Sequence, residues 1–336
     1  MTRTVILGMG HYLPEKVVTN DELSSVMETS NEWIQQRTGI STRRYVDFEN
    51  EPMGASDLAV RAAAEALEDA NVSKDDIDLI VYATLSPDKF FPGDGVAVQA
   101  KLDIPAGVPA MDIRNQCSGF IYGLSVADAF IRCGTYKRVL LIGSEVHSTG
   151  LDFSTRGRDV SVIFGDGAAA AVLGPNEKND GAGVLSVHLH ADGRYADELK
   201  CEYPSSQVMP RITAENIADG DHYPSMNGRS VFKHAVVRMP EVIVEALDHN
   251  NLNPTDLDLL VPHQANLRIS EMVARRLELP ADKVVNNIQK YGNTTAASIP
   301  LALYEARKAG RVKPGDLVCL SAFGAGFTWG AALIRF

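Results

Sequence analysis

The stretch EALEDANVSKDDIDLIV (residues 65–81) recurs as EALDHNNLNPTDLDLLV (residues 245–261), without a gap and 180 residues further along the chain. Each copy has the end of an amphipathic helix, a polar turn and a short apolar strand. A helix–turn–strand unit that is used twice at so long an interval predicts a duplicated α/β chain.

A second pair of segments supports the duplication. FGDGAAAAVL (164–173) and FGAGFTWGAALI (323–334) each begin with F-G-x-G and continue with small residues into a strand. We therefore expect two pseudo-symmetric halves, residues 1–175 and 176–336, with mixed, mostly parallel sheets. Helices are expected between the sheets and on their outer faces.

The segment DIRNQCSGFIYGLSVADAFI (112–131) predicts the central helix. Gly119 and Gly123 each cost about 1 kcal/mol of helix stability, so close approach by another element is expected. Gly134 and Gly310 each end a helix before a strand and lie 176 residues apart. The same offset maps Cys117 onto Asn293 in KYGNTTAAS, which predicts that the two helices pack side by side.

Cys117 lies at the start of that helix, where the helix dipole and free N–H groups favour the nucleophilic thiolate. Free cysteines are more often inert core residues, so the prediction needs partners. His263 supplies one, because it follows the second copy of the repeated strand, and open α/β sheets place their sites at strand ends. The pseudo-symmetry brings Cys117, His263 and Asn293 together from three elements.

Composition excludes several classes of function. The 336 residues carry a net charge of −11, which argues against a nucleic-acid partner. Four scattered cysteines without a C-x-x-C pair indicate reduced thiols. No apolar run is long enough for a signal peptide or a membrane span, so a cytoplasmic protein is expected. His188 and His190 share a strand face, but two histidines without a third ligand rarely bind a metal, and none is expected.

Seven motifs, taken in order, resemble the ketoacyl synthase III group of the thiolase superfamily over the whole chain: TSNEWIQQRTGI, NQCSGFIYGLSVAD, TRGRDVSVIFGDGAAAAVL, HADG, VPHQANLRI, YGNTTAAS and FGAGFTWGAALIRF. The resemblance implies the layered αβαβα fold and a Cys-His-Asn triad at Cys117, His263 and Asn293. It also implies an acyltransferase of fatty acid biosynthesis. In the reaction that the resemblance implies, an acyl group from acyl-CoA loads Cys117 and then undergoes decarboxylative Claisen condensation with a malonyl thioester, carried on acyl carrier protein or CoA. Acyl-CoA is the expected substrate, and no cofactor is expected.

The resemblance also assigns residues around the triad. CoA binding is expected from Trp33, Arg37 and Arg156, and contact with the pantetheine arm from Gly228 and Asn266. Carrier-protein docking is expected at Lys233, Arg268, Arg275 and Arg276. Phe91 is expected to reach across a homodimer into the acyl pocket, and the backbone N–H groups of Cys117 and Ala325 are expected to form the oxyanion hole. Ala325 departs from the family, whose close members have glycine there. Its Cβ excludes conformations that only glycine adopts readily.

Three other functions stay open at this point. Enzymes with the same triad transfer acyl groups to other acceptors or join two acyl chains in secondary metabolism. A cysteine hydrolase also uses Cys, His and Asn, but the duplication and the buried nucleophile helix fit it poorly. A non-catalytic acyl-binding module is opposed by the intact triad.

Overall fold

The structure is a computed structural model that describes residues 2–336. Its strands are β1 (Thr4–Tyr12), β2 (Lys16–Thr19), β3 (Thr42–Tyr45), β4 (Leu79–Ala83), β5 (Ala110–Ile113), β6 (Val139–Glu145), β7 (Gly167–Pro175), β8 (Gly183–Ala191), β9 (Leu199–Cys201), β10 (Pro224–Met226), β11 (Leu259–Pro262), β12 (Leu317–Gly324) and β13 (Thr328–Arg335). The α-helices are α1 (Asn20–Ser24), α2 (Asn31–Thr38), α3 (Ala55–Ala70), α4 (Asp94–Lys101), α5 (Gly119–Arg132), α6 (Arg158–Ser161), α7 (Ala214–Asp219), α8 (Gly228–His249), α9 (Leu267–Arg276), α10 (Ile288–Tyr291) and α11 (Ser298–Lys308).

Two sheets of matching topology confirm the predicted duplication. The first has the strand order β1-β7-β6-β4-β5, and the second has the order β8-β13-β12-β11. A single parallel bridge between Leu260 and Val284 stands where β5 stands in the first sheet. The strand β7 ends at Pro175 and β8 begins at Gly183, and we propose that the halves divide there, as residues 1–175 and 176–336.

The sheets are mixed, but they are not mostly parallel as the sequence suggested. β4 runs parallel to β5 and β6, and β11 runs parallel to β12. All other neighbours in the two sheets are antiparallel. A short connection explains one of the antiparallel pairs. A tight turn at Ala325–Phe327 joins β12 directly to β13, and two strands joined by so short a turn can only run antiparallel.

The layers follow from which faces are apolar. Helix α3 covers the outer face of the first sheet, and α8 covers the outer face of the second. Helices α5 and α11 lie between the sheets within one apolar core, and no residue from Ser118 to Asp128 is exposed. This confirms the buried central helix. Gly134, in the left-handed region at φ 76°, follows its last turn as predicted.

The two glycines of α5 serve different contacts. A Cβ at Gly119 would lie 3.1 Å from the Cβ of Ala83 in β4 and 3.5 Å from the Cβ of Ala296, so Gly119 packs tightly on its own sheet and also faces the second central segment, as expected. A Cβ at Gly123 would instead lie 2.6 Å from Cδ1 of Leu141 in β6. Gly123 therefore allows the helix to pack closely on its own sheet, not on the other helix.

The predicted pairing of Cys117 with Asn293 is wrong by three residues. Gln116 and Thr295 both have positive φ, 44° and 46°, just before the two central helices, and they lie 179 residues apart. Cys117 therefore corresponds to Ala296. The offset of 176 arises because α5 has 14 residues and α11 has 11. The glycines after the two helices are therefore three residues closer together along the chain than the first residues of the helices are.

Helices of the described chain, residues 2–336, include none that is both long enough and apolar enough to cross a membrane.

Candidate active site

Cys117 lies between two cavities. It belongs to a short 3₁₀ turn immediately before α5, and its side chain is buried, with 7% of the residue exposed. A cavity of about 920 Å³ opens on one side and a cavity of about 490 Å³ on the other, and Cys117 lines both. A ligand in one cavity and a second group in the other therefore meet at its sulfur.

Three elements surround the Cys117 sulfur. Hydrogen bonding from the Ala325 backbone and the Asn293 side chain lowers the pKa of the Cys117 thiol and so favours the thiolate. Gly324, at the end of β12, passes so close that a Cβ there would lie 2.5 Å from the Cβ of Cys117. The nucleophile is thus held against the turn that follows β12.

The resting state of the thiol differs from the expectation. Burial raises the pKa of Cys117 to about 12, and the nearby Glu145 carboxylate adds to the rise. The hydrogen bonds from Ala325 and Asn293 act in the opposite direction without overcoming burial. Cys117 is therefore a neutral thiol at neutral pH, because loss of solvation outweighs the N-terminal position on α5.

Asn293 is held in a fixed orientation by its backbone and its own side chain. Its backbone N–H donates to the carbonyl oxygen of Ile163, at 2.8 Å. Its side-chain Oδ1 accepts the backbone N–H of Thr295, at 2.9 Å. The side-chain NH₂ is left to point towards Cys117, so it is available as a donor to a bound thioester.

His263 directly follows β11, as predicted, and its backbone N–H donates to Ser321 at 2.8 Å. The side chain is buried, and neither ring nitrogen has a hydrogen-bond partner within residues 2–336. Burial lowers the pKa of His263 to about 3, so the imidazole is neutral and carries one N–H. A buried donor without a partner is costly, which indicates that a substrate supplies one.

Ala325 carries no backbone strain. Positive φ values in this turn fall on Gly326, at 129°, and not on Ala325. A Cβ is therefore tolerated at Ala325, and its N–H is preserved. The departure from the glycine of close family members leaves the predicted oxyanion-hole donor in place.

Two buried residues near the nucleophile escaped the sequence analysis. Glu145, at the end of β6, accepts the backbone N–H groups of Leu85 and Ser86, and burial raises its pKa to about 7. His147 lines the larger cavity and lies 2.8 Å from the Thr295 hydroxyl through Nε2. The only sequence signal is their position, since Glu145 ends the apolar strand β6 and His147 lies two residues beyond it.

The smaller cavity contains most of the residues predicted to hold CoA, namely Trp33, Arg37, Gly228 and Asn266. Arg268, which was predicted to dock the carrier protein, lines the same cavity. The Arg37 guanidinium lies 4.7 Å from the centre of the Trp33 ring. Asn266 donates through Nδ2 to the backbone carbonyl of Arg37, at 2.8 Å, which ties α9 to α2 at the cavity wall. This wall combines an aromatic face with cations, which suits a nucleotide.

Arg156 lies elsewhere. Its Nε pairs with Asp152 at 2.6 Å, and its guanidinium also donates to the carbonyl of Asp219, at 2.7 Å. Arg158 instead lies over the Trp33 ring, 5.3 Å from its centre. The CoA contact predicted for Arg156 stays untested, but these contacts favour Arg158 for that position.

The remaining predicted residues lie at the surface. Lys233, Arg275 and Arg276 are exposed on α8 and α9, outside the walls of both cavities. Phe91 is 79% exposed and points away from the cavities of its own chain, whereas its neighbour Phe90 lines the larger cavity. Their predicted roles require a partner molecule.

Comparison with known proteins identifies the family of the chain. Residues 111–193 match the model of 3-oxoacyl-[acyl-carrier-protein (ACP)] synthase III, and residues 247–336 match the model of its C-terminal part. The chain is 48% identical to the β-ketoacyl-[acyl-carrier-protein] synthase III of Rhodospirillum centenum over 99% of both chains. It is 45% identical to that of Alkalilimnicola ehrlichii over 100% of both. The crystal structure of 3-oxoacyl-[acyl-carrier-protein] synthase III from Aquifex aeolicus superposes with a TM-score of 0.90 at 43% identity, with full coverage of both chains. The chain belongs to the β-ketoacyl-[acyl-carrier-protein] synthase III family of thiolase-like acyltransferases.

Proposed function

We propose that this chain transfers an acyl group from acyl-CoA to Cys117 and condenses it with a malonyl thioester on acyl carrier protein, giving a 3-oxoacyl product. The observation that carries the proposal is the position of Cys117 between two cavities. The smaller cavity has the aromatic and cationic wall that suits CoA, and the larger cavity has room for the acyl group.

In the first half-reaction the CoA thioester enters through the smaller cavity, and the sulfur of Cys117 attacks the thioester carbonyl. A new bond between sulfur and the acyl carbon forms, the bond to the CoA sulfur breaks, and CoA leaves as the thiol with the proton that Cys117 carried. The backbone N–H groups of Cys117 and Ala325 hold the negative oxygen of the intermediate.

In the second half-reaction a malonyl thioester takes the place of CoA. His263 and the NH₂ group of Asn293 donate hydrogen bonds to its thioester oxygen. Loss of CO₂ leaves an enolate, which those bonds stabilise, and the enolate carbon attacks the acyl carbon on Cys117. The new carbon–carbon bond forms as the bond from the acyl carbon to the Cys117 sulfur breaks, and the released thiolate takes a proton from solvent. Exclusion of water from this buried site protects the acyl-cysteine from hydrolysis.

Intact-mass measurement after incubation with acyl-CoA tests the proposal. Wild-type protein is expected to gain the mass of the acyl group, and Cys117→Ala is expected to gain none. Cys319→Ala is a matched control, because Cys319 is a second buried free thiol that lines neither cavity. An unmodified wild-type protein with every acyl-CoA, or loading that survives Cys117→Ala, contradicts the proposal.

We also propose that an acidic carrier protein docks at Lys233, Arg268, Arg275 and Arg276. The double charge reversal Arg275→Glu/Arg276→Glu is expected to raise KM for malonyl carrier protein about tenfold and KM for malonyl-CoA less than twofold, since both residues lie outside the cavities. Arg268→Glu is expected to weaken both substrates because Arg268 lines the CoA cavity. Steady-state kinetics checks this, with the exposed Lys178→Glu as control. Equal effects of the double reversal on both substrates would remove the docking role.

A homodimer is the proposed assembly. Phe90 and Phe91 are 63% and 79% exposed beside the larger cavity, and β5 is an edge strand with an open side. We expect Phe91 to enter the acyl cavity of a second copy. Sedimentation velocity at micromolar concentration is expected to give a dimer, and Phe91→Ala is expected to change the preferred acyl length. A monomer at micromolar concentration would contradict the proposed homodimer.

We propose that the protein is located in the cytoplasm. Its four cysteines are free thiols, which agrees with a reducing compartment.

A further inference from the structure

The larger cavity has far more room than a short acyl group needs. Its volume is about 920 Å³, near the top of the range of about 300–1,000 Å³ that is typical of sites for whole small-molecule ligands. An acetyl group has three heavy atoms and would leave most of this space to water. The wall beside Cys117 is apolar, with Leu85, Val146 and Phe164, so it favours a hydrocarbon chain.

Arg114 introduces a positive charge into this cavity. It directly follows β5, three residues before Cys117, and lines the cavity wall. Within residues 2–336 the structure gives its guanidinium no hydrogen bond and no ion pair. A planar guanidinium with five N–H donors binds carboxylates in a bidentate manner, so this arginine has its full capacity for a ligand.

A second group of polar atoms faces the same space from the β9–β10 region. Cys201 and His222 both line the cavity, and the Cys201 thiol donates to the backbone carbonyl of His222, at 3.1 Å. The Nδ1 atom of His222 is buried and has no hydrogen-bond partner in the described chain. Arg114 lines the same cavity as both residues, and its charge opposes the rise that burial causes in the pKa of Cys201.

The other charged residues of the cavity are already paired. Asp88 is the one acidic residue among those that line it, and its carboxylate accepts the backbone N–H and the hydroxyl of Ser56. Lys200 forms ion pairs with Asp197 and Glu202. Arg114 therefore carries the uncommitted charge of the cavity, and that charge is positive.

We propose that the preferred acyl group is a medium-length chain with a terminal carboxylate, which Arg114 binds and His222 assists as a second hydrogen-bonding partner. The substrate class is then the CoA monothioester of a dicarboxylic acid. The apolar wall holds the methylene groups, and the carboxylate meets the guanidinium at the end of the chain. The proposal rests on the proposed function, because it assumes that Cys117 accepts an acyl group from CoA.

Rates of Cys117 acylation, followed by intact mass, test the inference with pairs of thioesters that have equal carbon number. The pairs are succinyl-CoA with butanoyl-CoA, adipoyl-CoA with hexanoyl-CoA, and octanedioyl-CoA with octanoyl-CoA. In wild-type protein the carboxylate member of at least one pair is expected to load about tenfold faster or more. Arg114→Ala is expected to remove that preference. Arg114→Lys is expected to keep part of it, since lysine retains the positive charge but cannot bind a carboxylate in a bidentate manner.

Arg194→Ala is the matched control, because Arg194 is a surface arginine that pairs with Asp192 outside the cavity. Thermal unfolding of Arg114→Ala is expected to match that of wild type, since Arg114 is exposed. Faster loading by the unsubstituted chain in every pair, or a carboxylate preference that Arg114→Ala leaves unchanged, overturns the inference while the proposed function stands. Absence of loading from all six thioesters overturns the proposed function and the inference with it.

Discussion

Replacement of His263 by alanine is expected to slow condensation by about 10²- to 10³-fold while loading of Cys117 from acyl-CoA stays within a few-fold of wild type. His263 is a neutral imidazole whose ring nitrogens have no partner among residues 2–336, so its N–H is free for the enolate oxygen. Loading does not create an enolate. Asn293→Ala removes the second donor and is expected to behave in the same way, with some added loss of loading because Asn293 also contacts the Cys117 sulfur.

The two half-reactions are measured separately on the same protein samples. Loading is followed by the mass of the acyl-enzyme, and decarboxylation by labelled CO₂ released from a malonyl thioester. His190→Ala is a suitable control, because His190 pairs with Glu245 at the outer end of the second sheet. If either triad variant loses loading as completely as Cys117→Ala while decarboxylation continues at the wild-type rate, the assignment of that residue to the second half-reaction is wrong.

The fold could be predicted, and the triad residues could be proposed, because both depend on features that repeat along the chain. The copies of one helix–turn–strand unit place β4 and β11 at equivalent positions, and the end of β11 carries His263. What the repeat could not provide was the register between the central helices. Helix length differs by three residues between α5 and α11, and no local pattern reports this until both ends of each helix are known.

The features that the sequence did not reveal depend on packing. Arg156 and Arg158 are separated by one glycine, and only their contacts distinguish the arginine over Trp33 from the one paired with Asp152. The pKa of Cys117 depends on how completely the surrounding layers exclude water, and burial outweighed the helix terminus. The tolerance of alanine at position 325 required the backbone φ, because the motif F-G-A-G does not show which residue makes the sharp turn.

Replacement of Gly324 by alanine is expected to lower both half-reactions by about 10²-fold, in contrast to the His263 variant. The new Cβ would lie 2.5 Å from the Cβ and 3.0 Å from the sulfur of Cys117, which is closer than atoms can approach. Cys117 is buried between the two cavities, so relief of the clash moves either the sulfur away from its position or the turn after β12. A shift of about 1 Å in a reacting group costs roughly 10²-fold in rate, and overpacking costs about 1–3 kcal/mol of stability.

Gly193→Ala separates this local clash from a general effect of glycine replacement. A Cβ at Gly193 meets no atom within 4 Å, and its φ is not in the left-handed region, so activity and melting temperature are expected to match wild type. Loading and decarboxylation are measured as for His263→Ala. Loss of both steps in Gly324→Ala follows because Cys117 takes part in each, and the malonyl thioester must reach the same point between the two cavities. If the Gly324→Ala enzyme loads Cys117 at the wild-type rate, the turn after β12 shifts without moving the sulfur. The close packing of β12 on the nucleophile would then have no role in catalysis.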